Sequence, residues 1–116
     1  MQAFVPVVAV APNRTVGVAF YETPAGRSDH RVATRYVLVT SKNGGTTFAR
    51  RTVGRPFDLA AAPLMQSVPE LAVPPGLFLG DYMGMNAAAN RFRLAFVTTN
   101  PAQANATDVR YAVVDP

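Results

Sequence analysis

An all-β fold is predicted by three observations. Apolar residues come in runs of strand length or alternate with a period of two, as Val16, Val18 and Phe20 do. Ten prolines and eight glycines punctuate 116 residues, which suits many short turns. Helical spacing is weak throughout; residues 59–65 have room for one or two turns, and Pro63 argues against more.

The first expected strand is the apolar run 5–11, and the second is 15–21 with its alternating Val and Phe. Strands are expected at 35–40 and 48–53, flanking Ser41-Lys42-Asn43-Gly44-Gly45-Thr46-Thr47-Phe48. This octapeptide reads as a tight hairpin. The Asn43 side chain can accept a hydrogen bond from backbone two residues on, and Gly44 and Gly45 supply positive φ without steric cost. Residues 22–34 are polar and rich in turn formers, and residues 55–79 are Pro-rich; both read as long connections, the kind of segment that often carries binding function. Further strands are expected at 82–88, 91–98 and 108–114.

These strands form two copies of one pattern. Ala11-Pro12-Asn13-Arg14 returns as Ala88-Ala89-Asn90-Arg91, Val18-Ala19-Phe20 as Leu94-Ala95-Phe96, and Arg35-Tyr36-Val37-Leu38-Val39 as Arg110-Tyr111-Ala112-Val113-Val114. The offset drifts from 77 to 76 to 75 residues, as small loop deletions would produce. The first copy has four strands, the size of one propeller blade. The second has three, and its own octapeptide would begin after Asp115-Pro116.

The octapeptide resembles the Asp-box of sialidases and related β-propellers, Ser-x-Asp-x-Gly-x-Thr-Trp. Ser41, Gly45 and Thr47 match it; Asn43 stands for the usual Asp and Phe48 for the usual Trp. Gly80-Asp81-Tyr82-Met83-Gly84-Met85, followed by Arg93-Leu94-Ala95-Phe96-Val97-Thr98, is similar to a strand pair of bacterial proteins with these BNR repeats. The resemblance implies antiparallel four-stranded blades of a six-bladed sialidase-type propeller. One blade would span about residues 1–54, a linker loop 55–79, and a second, incomplete blade 80–116. Two blades cannot close a ring, so the remaining blades would come from a longer parent chain or from homo-oligomerisation, three chains of two blades making six. A strand from a neighbour would also cover an exposed edge.

The same resemblance implies a secreted or periplasmic bacterial glycoside hydrolase-like protein with glycans as partners. Sialidases hold a carboxylate with three arginines and use a Tyr nucleophile paired with Glu, plus an Asp acid/base. Asp81 and Tyr82 open an expected inner strand and are the catalytic candidates; Arg35, Arg93 and Arg110 lie on strands and are the substrate-binding candidates. Each has a plainer role open to it. Arg35 and Arg110 are repeat mates, Arg93 alternates with Phe92 and Leu94 as on a solvated face, and Asp81 suits a turn. Glu22 and Glu70, the only glutamates, both fall in expected loops. No complete catalytic set maps onto the chain. Three readings stay open: a segment of a glycan-processing hydrolase that is inactive alone, a lectin-like glycan-binding module that assembles into a ring, and a propeller scaffold for protein contacts.

Composition narrows the rest. With 49% hydrophobic and 16% charged residues the chain should fold. It has no cysteine and a single histidine, His30, beside Ser28 and Asp29; neither a thiolate or histidine-rich metal site nor a serine triad follows from that set, and no cofactor is expected. The net charge is +4, but the basic residues are scattered, with only Arg50, Arg51 and Arg55 close together; nucleic acid is not an expected partner. Residues 1–11 lack the basic start of a signal peptide, and no apolar run approaches the ~20 residues of a membrane helix, so no membrane partner is expected.

Overall fold

The computed structural model describes residues 1–24, 32–67, 69 and 75–116. His30, Ser28, Asp29 and Glu70 lie outside the described residues. The fold is all-β and antiparallel, with no α-helix among the described residues. Strands β1 (Gln2–Val10), β2 (Val16–Thr23), β3 (Ala33–Ser41) and β4 (Ala49–Asp58) form one sheet in chain order. A 3₁₀ turn (Leu59–Ala61) and a two-strand ladder of β5 (Leu64–Met65) and β6 (Gly76–Leu77) follow. A second sheet holds β7 (Gly84–Ala88), β8 (Arg91–Thr99) and β9 (Thr107–Val114), again in chain order.

Local chemistry explains the strand ends. Ala89 and Asn90, with φ of 50° and 60°, join β7 to β8 in the mirror-image turn that matches strand twist. The β1–β2 turn is longer: Arg14 takes φ of 68° and its N–H bonds to the Ala11 carbonyl at 2.8 Å. The repeat mates Asn13 and Asn90 meet, the Asn90 side chain accepting from the Asn13 N–H at 3.0 Å. In the β3–β4 turn, Asn43 Oδ1 accepts from the Ser41 hydroxyl (3.0 Å) and the Thr47 N–H (2.9 Å), while Ser41 Oγ accepts from the Gly45 N–H (2.9 Å). Asn43 Nδ2 donates to Thr47 Oγ1 at 2.8 Å, so Ser41, Asn43, Gly45 and Thr47 close into one network. Phe48 is exposed.

Four boundaries differ from the sequence expectation. Glu22 sits in β2 rather than in a loop, where Arg50 and Arg35 pair with it. β4 runs on through Pro56 to Asp58. It does so because Gly54, at φ of 73°, starts a bulge against β3, and an edge strand tolerates the missing proline donor. The 55–79 connection contains β5 and β6. β7 starts at Gly84, so Asp81 and Tyr82 precede the strand.

The two sheets pack face to face. Ala19, Tyr21, Tyr36, Leu38 and Val53 of the first meet Phe92, Leu94 and Phe96 of the second, closed by Leu79 and Met83. Tyr36 stacks on Phe96 with ring centroids 4.5 Å apart. Phe92 lies against Gly17, where a Cβ would stand 2.5 Å from its ring. Tyr21 carries the polar link. Its hydroxyl accepts from the Val97 N–H and donates to the Val97 carbonyl, each at 2.8 Å. These groups lie beyond the point where β7 stops pairing with β8 at Ala95. Asp58 ties the crossing segment down: its carboxylate accepts from Val32 N–H (2.7 Å) and Ala60 N–H (3.0 Å), and its carbonyl accepts from the Thr99 hydroxyl (2.9 Å).

The Tyr36 hydroxyl is buried and has no hydrogen-bond partner among the described residues. Burial pushes its pKa from the ordinary 10.0 up to about 12. A raised pKa means that the folded state keeps a proton the unfolded chain loses, so this contribution is intact below pH 10.0 and is lost as pH rises towards about 12. Denaturant midpoints of the wild type should hold level up to that threshold and fall above it. Tyr36→Phe, which removes an unsatisfied polar atom, should match or exceed wild-type stability at neutral pH and show a shallower alkaline fall.

Candidate functional site

The bulge in β4 builds the cleft with the richest chemistry. Gly54, Arg55, Pro56 and Phe57 form one wall of a cavity of about 480 Å³. Phe96, Thr98 and Thr99 of β8 form its floor, and Arg110, Tyr111 and Ala112 of β9 the other wall. Gly54 is favoured as glycine by its φ of 73°; a Cβ there would make ordinary contact with the Phe96 ring at 3.4 Å.

Arg110 is fixed in place. Its Nε donates to Thr98 Oγ1 at 3.3 Å and its Nη2 to Asp108 Oδ2 at 3.0 Å. Asp108 is held in turn by the Asn100 side-chain amide at 2.6 Å. These bonds use two of the five guanidinium donors. Arg55, on the facing wall, is exposed. The lining holds two guanidinium groups, hydroxyls and the rings of Phe57 and Phe96, and no carboxylate. Such a surface suits an anionic ligand with an apolar ring face, the anion set against arginine and the ring against aromatic side chains. Asp108 is the nearest acid in this network, and its ion pair with Arg110 holds it to the role of an orienting group.

The residues singled out in the sequence do not converge. Arg110 lies in the cleft. Arg35 lies on the outward face of the first sheet, 3.8 Å from the buried Glu22 carboxylate. Arg93 pairs with Val113 on the outward face of the second sheet. Asp81 is exposed, and Tyr82 is 91% exposed, which leaves neither in an enclosed pocket. Arg35 and Arg110 do keep repeat-related surroundings, Glu22 beside one and Thr98 beside the other. Arg55 was legible only as one of three clustered arginines; the Gly54-Arg55-Pro56 triplet, a bulge signal on an edge strand, was the cue that sets it apart. No protein-family model, curated protein or solved structure matches the chain.

Proposed function

We propose that the chain is a segment of a sialidase-type β-propeller from a glycan-processing protein, and that this segment holds sugar without cleaving it. The observation that carries the reading is the closed Ser41–Asn43–Gly45–Thr47 network at the β3–β4 turn, set on a four-stranded antiparallel meander. In it Asn43 does through its amide oxygen what an Asp would do through a carboxylate, accepting from a hydroxyl and a backbone N–H. Binding is favoured over hydrolysis because the cleft offers arginines and aromatic rings but no carboxylate to act as acid/base or to pair with a tyrosine nucleophile, and because Asp81 and Tyr82 stand in the open.

The test is a glycan array read alongside hydrolysis of a fluorogenic sialoside. Acidic glycans should be retained and no fluorophore released. Arg110→Ala should weaken retention by roughly tenfold or more, the scale of a lost charge-assisted hydrogen bond of about 1.5–3 kcal/mol. An array on which no sugar is retained would sink the binding reading, and sialoside turnover by the wild type would sink the claim of inactivity.

A further inference from the structure

Of the six asparagines, Asn43 alone is followed by glycine. That pairing bears on the side-chain amide itself. A main-chain nitrogen can attack the side-chain carbonyl carbon of the asparagine before it, closing a succinimide ring and releasing ammonia. A Cβ on the attacking residue crowds the approach, and proline has no N–H to use. Asn13, Asn86, Asn90 and Asn105 precede Arg14, Ala87, Arg91 and Ala106, and Asn100 precedes Pro101.

The β3–β4 turn leaves the attacking group free. The Gly44 N–H makes no hydrogen bond among the described residues, and nothing lies within 4 Å of where a Cβ would stand. Both Asn43 and Gly44 are exposed, so water and base reach them. The carbon under attack is polarised. Asn43 Oδ1, the oxygen that gains charge as the new bond forms, accepts from the Ser41 hydroxyl at 3.0 Å and the Thr47 N–H at 2.9 Å.

We infer that Asn43 deamidates in the folded chain, and that the turn directs the product to aspartate rather than isoaspartate. Gly44 N gives its proton to solvent base and bonds to Cγ; the Cγ–Nδ2 bond breaks, and Nδ2 leaves as ammonia with a proton from water. A water molecule then opens the ring at one of two carbonyl carbons. Attack at Cγ breaks its bond to Gly44 N and leaves aspartate on an intact main chain. Attack at the main-chain carbon gives isoaspartate and threads Cβ into the backbone. The two carbons are not held alike: Oδ1 accepts two hydrogen bonds, whereas the Asn43 main-chain oxygen accepts one, from the Thr46 hydroxyl at 3.1 Å. The aspartate also fits the existing contacts. Its carboxylate keeps the Ser41 hydroxyl and the Thr47 N–H, and the Thr47 hydroxyl, which accepts from Asn43 Nδ2 at 2.8 Å, turns to donate. Charge-assisted bonds replace neutral ones, and the net charge of +4 falls by one. The inference stands on the turn alone and does not depend on sugar binding.

The full chain, incubated at mildly alkaline pH and sampled over time, tests it. Peptide mapping by mass spectrometry should place the amide-to-acid exchange at Asn43, and electron-transfer fragmentation should find aspartate in excess of isoaspartate. The same chain unfolded in guanidinium should give isoaspartate in excess, because the held oxygen is then released. Ser41→Ala removes one Oδ1 donor and should lower the native ratio of aspartate to isoaspartate by roughly fivefold, the scale of one hydrogen bond. Asn43→Asp should fold with a denaturant midpoint equal to or above that of the wild type. An Asn43 amide that survives in the folded chain after the unfolded chain has converted overturns the inference. So does isoaspartate in excess from the native chain, or one product ratio shared by the native and unfolded wild type, a comparison that stands even where Ser41→Ala does not fold.

Discussion

Phe92→Ala is expected to lower unfolding free energy by about 3–5 kcal/mol, measured by denaturant titration. The ring is fully buried in the centre of the intersheet core, and its other side is the bare backbone of Gly17. With no Cβ there, the two sheets approach more closely than any other residue would allow. Gly17→Ala is the counterpart: its methyl would stand 2.5–2.9 Å from three atoms of the Phe92 ring, so the sheets must part or the ring must turn, at about 1–3 kcal/mol. The pair should not be additive. In Gly17→Ala/Phe92→Ala the new methyl enters space that the ring has vacated, so the double variant should be more stable than the sum of the singles predicts. Strict additivity would show that the two sheets are not in contact at this point.

Tyr21→Phe is expected to cost about 1–3 kcal/mol, the penalty for leaving buried backbone groups unpaired. The lost atom is the one that both donates to and accepts from Val97 at 2.8 Å, in place of a strand neighbour that β7 is too short to provide. Burial pushes the Tyr21 pKa upward, with the Val97 hydrogen bond acting in the opposite sense. The Val97 amide gives a second readout: its hydrogen exchange should accelerate in Tyr21→Phe while that of Val53, across the same core, changes only in step with global stability. Val97 exchange that merely follows global stability would mean that the hydroxyl is not its partner.

Strand existence was legible because apolar residues either alternate, as in Val16–Val18–Phe20 and Phe92–Leu94–Phe96, or run on at strand length, as in residues 7–11 and 36–39. Which face becomes the core was not legible in the first sheet. Val16, Val18 and Phe20 are the larger apolar set by sequence, yet the core takes Gly17, Ala19 and Tyr21 from the other face. Two apolar faces on one strand leave the choice to whatever packs against each, and the small residues win here because Phe92 needs room. The end of β4 was misread at Pro56, where a proline on an edge strand does not break the ladder. The cleft could not be read at all: it joins residues 54–57 to 96–112, a pairing that exists only once the sheets have docked. Arg110 stood out by its place on a strand, whereas Arg55 needed the bulge to gain its position.

The strand order has a kinetic corollary. Within each long sheet every strand pairs only with its chain neighbour, so both sheets can zip up from local hairpins without a costly loop closure. The contacts that unite them, Tyr21 with Val97 and Asn13 with Asn90, span 76 and 77 residues. Sheet assembly by local hairpins is thereby distinct from sheet docking, and the entropy cost of long-range loop closure falls on the second event, in which the Asp58-anchored crossing brings the two surfaces into register.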